Sequence, residues 1–586
     1  MARDDVWCGS AFAQSAQEES DGVDGSASDD VVDVIVAERR AASAQGSGPA
    51  PDEEVVLVEE AAVVPGAAVQ DRYSSSNGDV SAPVSVAEKQ DTIPLNFNFH
   101  GYYRARYNWI NNLPYRTSTG TMTKEDASFG TMRLRLDPEI TYGPNKKQPI
   151  ARLRITLDGF DNVVFGDNAR VNNVPIFAVD QSATDIYGFD LNDTLKLERA
   201  WMEFLVPVGQ IRVGRMESNW GLGVLTHDGN GLAEWGDFLR GETFDRVVFA
   251  TRPLTIFNAL TKDDARPTPL IYAFVYDRLS QDPINDPLDP SLPQATFAPF
   301  FSTFPERSTA PYAFVAGKAE RTNEIVNALM WSDPDYGTAE SDELFAGIYI
   351  VNRWQDLTNT RLTIPDVAWR LKHTLKNGLQ VSTEGEMVTI LGRSGALAFT
   401  GGENGGACVS SPCAEGKGRI FNVLARAGVA KEGTWAARLE GGFASGDDSI
   451  LSNNTLKTRA FNTNVKVGML MYQVALPTLT AYRLGSAQAL GANGSVWNSK
   501  FLYPQFRYWV LPKILEVHGT FLLGWAHKLD PLVYSVQEDS CGFKKKCFMG
   551  WEANVALRTS IGADDIIKID LEGGLGSPGR SSRRRA

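Results

Sequence analysis

A long alternation of apolar and polar residues opens the regular part of the chain. From Leu95 to Trp109 the apolar and aromatic residues fall on one parity, and the polar residues fall on the other. This period of two is typical of a β-strand with two different faces. A strand in a soluble protein has about five or six residues, whereas a tilted membrane strand needs about nine to eleven in the hydrocarbon. The length of the alternation therefore favours a strand that crosses a bilayer.

Similar alternation recurs along the chain. It is regular near 132–142, 151–158, 379–387, 435–443, 515–525 and 551–558, and less regular near 196–206, 210–216, 270–278, 324–331, 345–354, 361–373, 419–430, 464–475, 500–510 and 566–575. One further strand is expected near 244–252. Together these segments predict an all-β fold, a transmembrane antiparallel β-barrel of about 16–18 strands.

The connections between the early strands differ in length. Long polar connections at 110–130, 159–194 and 217–243 alternate with short ones at 143–149 and 207–209. Outer-membrane barrels have short turns on the periplasmic side and long loops on the outer side, whereas a soluble β-sandwich or solenoid needs no such asymmetry. The asymmetry therefore favours the membrane barrel over those soluble alternatives.

Composition excludes several other classes of protein. Aromatic residues make up 10% of the chain, which is too many for a disordered protein, and no apolar run approaches the roughly 18 residues of a membrane-spanning helix. The sequence contains no G-x-S-x-G, no H-E-x-x-H and no phosphate loop. We therefore predict no enzyme and no cofactor.

The net negative charge of the chain comes entirely from its first 91 residues. Residues 1–91 hold 19 acidic and 5 basic residues, which equals the whole net charge of −14 and leaves residues 92–586 neutral. No nucleic-acid partner is therefore expected. Residues 1–91 are predicted to be a disordered Ala/Ser/Gly-rich tail, in which 11–14 resemble the end of a signal-peptide cleavage region. Residues 92–579 form the predicted barrel, and 580–586 form a basic C-terminal tail.

Short motifs add a resemblance to known proteins. The run Leu197–Phe204, followed by Gly209–Arg215 and Asn219–Gly223, resembles a strand, turn, strand and loop of Gram-negative porins, particularly the alginate-export type. A second set of motifs is similar to an uncharacterised family of predicted outer-membrane barrels: Trp497–Pro504, Gly550–Glu552 and Gly573–Gly579.

The resemblance implies a location in the cell outer membrane, contact with outer-membrane lipid and insertion by the barrel-insertion machinery. It also implies a channel for passive diffusion or export of small or oligomeric solutes. The alternative is a plugged or structural barrel whose surface loops mediate contact or adhesion. No strand face is apolar enough to mark an interface apart from lipid contact, so the oligomeric state is not predicted.

Six arginines fall on the polar parity of the first three strands: Arg104, Arg106, Arg133, Arg135, Arg152 and Arg154. If the apolar parity faces lipid, these arginines face the lumen. Arginine keeps its charge and presents a fork that matches carboxylate, so the set would concentrate anions. The alternative is that the arginines pair with wall acids such as Asp137, Glu139, Asp158, Glu384 and Glu386 and complete the wall. Both alternatives stay open.

Two loop features are candidates for a role in the pore or in stability. The loop around Trp220, His227 and Asp228 is a candidate constriction that folds into the lumen, and no metal site is predicted there. Four cysteines are candidates for loop disulfides, namely Cys408 with Cys413 and Cys541 with Cys547. Their spacings of C-x4-C and C-x5-C are poor for zinc, and unpaired thiols are the other alternative.

Overall fold

The computed structural model describes most of the chain from Leu95 onward and one segment before it. The described residues are 7–18, 95–116, 122–144, 149–166, 195–238, 241–262, 266–281, 322–333, 336–337, 342–356, 359–394, 416–447, 455–477, 492, 494–529, 547–562 and 566–578. Nearly all regular structure in these ranges is β-strand.

The strands are, in chain order, β1 (Trp7–Glu18), β2 (Leu95–Arg116), β3 (Met122–Tyr142), β4 (Ala151–Gly166), β5 (Lys196–Val206), β6 (Gly209–Glu217), β7 (Thr243–Thr251), β8 (Leu270–Gln281), β9 (Thr322–Asp333), β10 (Glu343–Gln355), β11 (Thr360–Thr374), β12 (Leu379–Ser394), β13 (Gly416–Lys431), β14 (Trp435–Ala444), β15 (Thr455–Leu456), β16 (Ser499–Leu511), β17 (Leu515–Ala526), β18 (Phe548–Ile561) and β19 (Ile567–Pro578). An α-helix, α1 (Pro253–Lys262), follows β7, and a π-helical turn spans Met471–Ala475.

The strands form a single closed sheet. From β2 to β14 and from β16 to β19 each strand pairs antiparallel with the next, and β14 pairs directly with β16. β15 is a two-residue parallel bridge beside the start of β13 and is not part of this order. These seventeen strands and β1 give the wall eighteen strands over the described residues, at the upper end of the predicted number.

Strand β1 completes the circle between β19 and β2. In the backbone register, Phe12 lies opposite Leu571 of β19 and opposite Tyr107 of β2. Without β1, the strands β2 and β19 would run in the same direction, because an odd number of antiparallel strands separates the two edges. β1 restores antiparallel pairing and gives the even strand number of bacterial outer-membrane barrels. Residues 7–18 of the tail predicted to be disordered thus form a strand.

Two further segments are predicted to be strands, one near 244–252 and one at 464–475. The strand expected near 244–252 is confirmed as β7. The strand expected at 464–475 is wrong, because this segment lies inside the barrel and ends in the π-helical turn. Its apolar residues are buried on both parities, including Val465, Val467 and Leu470. A wall strand would instead expose one parity to lipid. The tails at 19–91 and 580–586 lie outside the described residues.

The two faces of the wall differ in burial, as the alternation predicts. In β10, Ile348 and Ile350 point outward and are exposed, whereas Tyr349 and Val351 point inward and are buried. Large apolar side chains stand on the outside of other strands in the same way, for example Leu439, Phe506, Val555 and Leu571. An apolar exterior around a closed antiparallel wall is the form in which strands cross a bilayer, because every backbone polar group of the wall is paired.

The connections divide between two rims, as the early part of the sequence predicts. The long connection expected at 110–130 is wrong, because β2 continues to Arg116 and β3 begins at Met122. One rim carries the short turns 207–208, 375–378, 432–434 and 512–514, and also the longer connection that contains α1. The other rim carries long connections such as 218–242 and 457–498, with 356–359 as a short exception. Among the described residues, no helix has the length and apolar character needed to cross a membrane.

Val555 can be used to test which face of the wall meets lipid. It lies near the middle of β18 and is 56% exposed. Val555→Arg should weaken insertion by about 2 to 4 kcal/mol if the residue lies at the bilayer midplane, because a guanidinium would enter hydrocarbon. Urea titration of the protein folded into vesicles measures this cost. Val555→Leu is the matched control and should insert like the parent. Equal stability of the Arg variant and the control would contradict the assignment of faces.

Candidate functional site in the barrel lumen

The connection between β6 and β7 folds into the barrel instead of away from it. We call its described part, residues 218–238 and 241–242, the first inward segment. Trp220 is fully buried, and its ring stacks on Tyr349 of β10 with centroids 4.9 Å apart. Gly221 and Gly223 have φ of +58° and +78°, which lets the chain turn back directly after Trp220. The candidate constriction loop therefore lies inside the lumen.

A wall carboxylate holds this turn. Glu386 of β12 accepts hydrogen bonds from the backbone N–H groups of Leu222 at 2.5 Å, Val224 at 3.0 Å and Leu225 at 2.9 Å. Glu386 is fully buried, and Val224 and Leu225 are buried as well. A buried N–H group needs an acceptor, and one carboxylate here serves three. Glu386 thus binds the loop backbone, whereas the structural alternative expected from the sequence pairs it with an arginine.

A second connection, between β14 and β16, also enters the lumen. We call its described part, residues 457–477, 492 and 494–498, the second inward segment. Its backbone is bound by Glu552 of β18, which accepts the N–H of Met471 at 2.6 Å. It also binds the first inward segment, because Asn462 donates its N–H to the carbonyl of Val224 at 2.9 Å and its Nδ2 to Glu242 at 3.0 Å. The two segments therefore form one connected structure across the lumen.

The six predicted lumenal arginines lie on the inner face of the wall. Arg104, Arg106, Arg133 and Arg135 are buried, with 1 to 6% of their surface exposed. Asp237 of the first inward segment lies between two of them, 3.3 Å from Nε of Arg104 and 3.2 Å from Nε of Arg106. The loop thus brings a counter-charge to these wall arginines.

The other predicted arginines are held mainly by the wall itself. Arg135 makes a bidentate pair with Asp158, at 2.7 and 2.5 Å, in line with the structural alternative. Wall carboxylates also bind Arg152 and Arg154: both lie close to Glu139, at 3.4 and 2.8 Å. These three arginines have carboxylate partners on the wall. Arg104 faces Asp237 of the loop, and Arg106 lies between Asp237 and Glu572 of β19, which is 3.2 Å from its Nη1.

A second arginine cluster lies further round the wall. Glu234 of the first inward segment accepts hydrogen bonds from Nη2 of Arg438, at 2.5 and 2.7 Å, and from Nη2 of Arg507, at 2.5 Å. Its backbone carbonyl accepts Nη2 of Arg558 at 2.5 Å. Sequence reasoning missed this cluster as a site. The polar parity of the late strands marks Arg438 and Arg558 as lumenal, but nothing in the sequence links them to Glu234.

Two carboxylates of the loop, those of Glu234 and Asp237, are ionised because of the wall arginines around them. Burial opposes ionisation of Glu234, but Arg438 and Arg507 outweigh it and hold its pKa well below the usual range. Burial likewise opposes ionisation of Asp237, and Arg104 with Arg106 lowers its pKa to about 2. The first inward segment therefore presents two firm negative charges to two groups of arginines.

The remaining candidate residues of the loop shape its backbone. Nδ1 of His227 accepts the N–H of Gly229 at 2.9 Å, and Oδ1 of Asp228 accepts the N–H of Asn230 at 3.0 Å. Burial lowers the pKa of His227, so its imidazole is neutral at pH 7. The Oδ1 atom of Asn230 in turn accepts hydrogen bonds from Arg135 and Arg199, both at 2.7 Å. These residues fold the tip of the loop and fasten it to the wall.

Of the four candidate disulfide cysteines, one is described. Cys547, next to the start of β18, is fully buried and disulfide-bonded. Cys408, Cys413 and Cys541 lie outside the described residues, so the two predicted pairings stay predictions.

Comparison with known proteins gives a likeness of fold alone. No family model matches the chain, and no curated protein matches it. Among solved structures, OccK9 (OpdG) of Pseudomonas aeruginosa is 8% identical over 83% of this chain and 98% of that chain, with a TM-score of 0.41. A BenF-like porin of Pseudomonas fluorescens Pf-5 is 9% identical over 83% and 98%, with a TM-score of 0.40. OpdL of Pseudomonas aeruginosa is 9% identical over 82% and 97%, with a TM-score of 0.38. These values do not assign the chain to a family.

The anchoring role of Glu386 predicts a local effect of its removal. Glu386→Ala leaves three backbone N–H groups of the first inward segment without their acceptor, at a cost of about 1 to 3 kcal/mol for each buried group. We expect faster amide hydrogen exchange at residues 218–230 with the wall strands unaffected. Glu384→Ala is the control, because Glu384 of the same strand binds Arg370 and Arg426 of the wall. Equal exchange in the two variants would refute the anchor.

The pKa of Asp237 predicts how its contact responds to acid. A carboxyl whose pKa is lowered in the folded state stabilises that state above its ordinary pKa of 3.8, and the stabilisation disappears as the pH falls through the folded pKa of about 2. Hydrogen exchange of the first inward segment should therefore accelerate between about pH 4 and pH 2. Asp237→Asn should exchange fast already at neutral pH and lose this step. A step of the same size in that variant would assign the acid response to another group.

Proposed function

We propose that this protein is an outer-membrane channel that passes small anionic solutes through a lumen narrowed by the two inward segments. The observation that carries the proposal is a side of the lumen on which arginines recur, with acidic residues such as Glu516 and Glu572 between them. From β14 through β19 to β3, the inner wall presents Arg438, Arg507, Arg558, Arg104, Arg106, Arg133 and Arg135. We call this side the arginine belt.

The arginine belt supports anion passage because part of its counter-charge comes from a loop. Arg135 is matched by Asp158 on the wall, but Arg104, Arg438 and Arg507 lie against Asp237 or Glu234 of the first inward segment. Guanidinium groups that line a narrow lumen raise the local concentration of anions, and water exclusion strengthens that attraction. Small solutes fit the proposal better than large ones, because the inward segments occupy the lumen at this level.

The second candidate function is a plugged barrel whose outer loops mediate surface contact. The bonds between the two inward segments favour it: Asn462 joins them near Val224, and Gln473 donates to the carbonyl of Trp235 at 3.2 Å. A planar bilayer experiment separates the two functions. Stepwise conductance of the parent protein supports the channel, and a closed bilayer under all salt and voltage conditions supports the plug. Export, oligomeric solutes and the resemblance to alginate-export porins stay predictions.

Charge selectivity tests the role of the arginine belt. Replacing Arg104 and Arg106 with Gln should shift the reversal potential in a salt gradient toward cation selectivity, because two lumenal charges are removed. Arg215→Gln is the matched control, since Arg215 lies on the outer face of β6 and is half exposed beside Asp245. It should leave the reversal potential unchanged. An unchanged potential in the double variant, with the barrel folded, would show that these arginines serve only the wall.

A further inference from the structure

The site around Glu234 has more hydrogen-bond donors than its carboxylate uses. Three buried nitrogens there have no hydrogen-bond partner among the described residues: Nε of Arg438, Nε2 of Gln505 and Nε2 of His518. Gln505 lies beside Arg438, because its Oε1 accepts Nη2 of that arginine at 2.7 Å. The Nε2 atom of His518 points at Glu234 from 3.7 Å. A ligand with carboxylate oxygens would find free donors here.

The protonation of His518 follows from its other neighbour. Nη1 of Arg558 lies 3.1 Å from Nδ1 of His518. Arginine only donates hydrogen bonds, so Nδ1 is the acceptor and the ring proton sits on Nε2, facing Glu234. The ring of Trp235 stacks on His518 at 5.2 Å, and the guanidinium of Arg558 lies over Trp235 at 5.3 Å. The ring of His518 is therefore held between Trp235 and Arg558, and its Nε2 proton faces the carboxylate of Glu234.

The carboxylate in this site is carried by a segment of the chain that is not part of the wall. Glu234 lies 204 residues from Arg438 and 273 residues from Arg507 along the sequence. Gly236, two residues further on, has φ of +77°, so the backbone makes a turn beside the carboxylate that a residue with a Cβ rarely adopts. The site thus consists of a wall half, with arginines and spare donors on β14, β16 and β17, and a tethered half that supplies one carboxylate.

We propose that the cluster of Arg438, Arg507, Gln505 and His518 is a binding site for the carboxylate of an organic anion, and that Glu234 occupies it as a tethered competitor. An incoming carboxylate replaces Glu234 on the two arginines and uses the spare donors. The displaced carboxylate moves away with the part of the first inward segment around Gly236. This deepens the proposed function and rests on it for the access of solutes to the lumen.

A ligand can bind only those molecules in which Glu234 has left the site. Its apparent affinity is therefore the intrinsic affinity multiplied by the fraction of molecules with a free site. Removing the charge of Glu234 should therefore raise that affinity. We expect Glu234→Gln to bind succinate about tenfold or more tightly than the parent, as measured by calorimetry on the full chain folded in micelles. Succinamide, which has the same length and no charge, should bind neither protein.

Two variants serve as controls. Asp245→Asn removes a carboxylate that lies half exposed beside Arg215 on the outer face of the wall, and should leave succinate affinity at the parent value. Glu234→Gln combined with Arg438→Gln should lose the gain, because one of the two guanidinium groups is gone. A gel shift on heating verifies that each variant is folded, and Arg507→Gln replaces Arg438→Gln if the latter does not fold.

Hydrogen exchange reports the displacement directly. Saturating succinate should accelerate exchange of residues 231–238 in the parent protein and change it little in Glu234→Gln. If the Gln variant binds succinate no more tightly than the parent, the tethered-competitor proposal is wrong, even where anion-selective conductance is observed. If the gain in affinity is observed but the parent never conducts, the site stands and the proposed channel fails.

Discussion

The rest of this structure depends on one constraint, that every backbone polar group within the hydrocarbon must have a partner inside the protein. The wall meets it by closing on itself, and closure with antiparallel pairs requires an even number of strands. The seventeen wall strands from β2 to β19 leave two edges that run in the same direction, and β1 joins them. Closure also fixes the two faces: once the register is set, Ile348 must meet lipid and Tyr349 must face the lumen.

The same requirement continues inside the barrel. A wall of eighteen strands encloses more space than its own side chains fill, and the two inward segments enter that space. Their irregular backbones bring N–H groups away from water, and wall carboxylates accept them: Glu386 binds the first segment and Glu552 the second. Acidic residues on the inner face thus have two roles: some bind arginines of the wall, and others bind the backbone of a loop.

Features that depend on neighbouring residues can be predicted from this sequence, whereas contacts between residues far apart along the chain cannot. A period of two is a local property, so it reveals most wall strands and places Arg104 and Arg135 on the inner face. It fails at 464–475, where a segment surrounded by protein also shows apolar residues on alternate positions. It also fails for the pairs of Glu234, because Arg438 and Arg507 are 204 and 273 residues away. Such contacts arise only when the closed barrel brings a loop and distant strands together.

The neutrality of residues 92–586 and the arginine-rich side of the lumen are compatible because the arginines have carboxylate partners of two kinds. Some partners stand on wall strands, and others belong to a loop. Asp158 cannot leave Arg135, since both stand on neighbouring strands whose register is set by backbone pairing. Glu234 belongs to a loop, and its bonds to the wall can exchange for those of another carboxylate without disturbing a strand. Arginines with a fixed partner therefore stabilise the wall, and arginines whose partner is tethered to a loop remain open to exchange. A barrel without net charge can in this way bind anions, provided that a loop carboxylate such as Glu234 can leave its arginines.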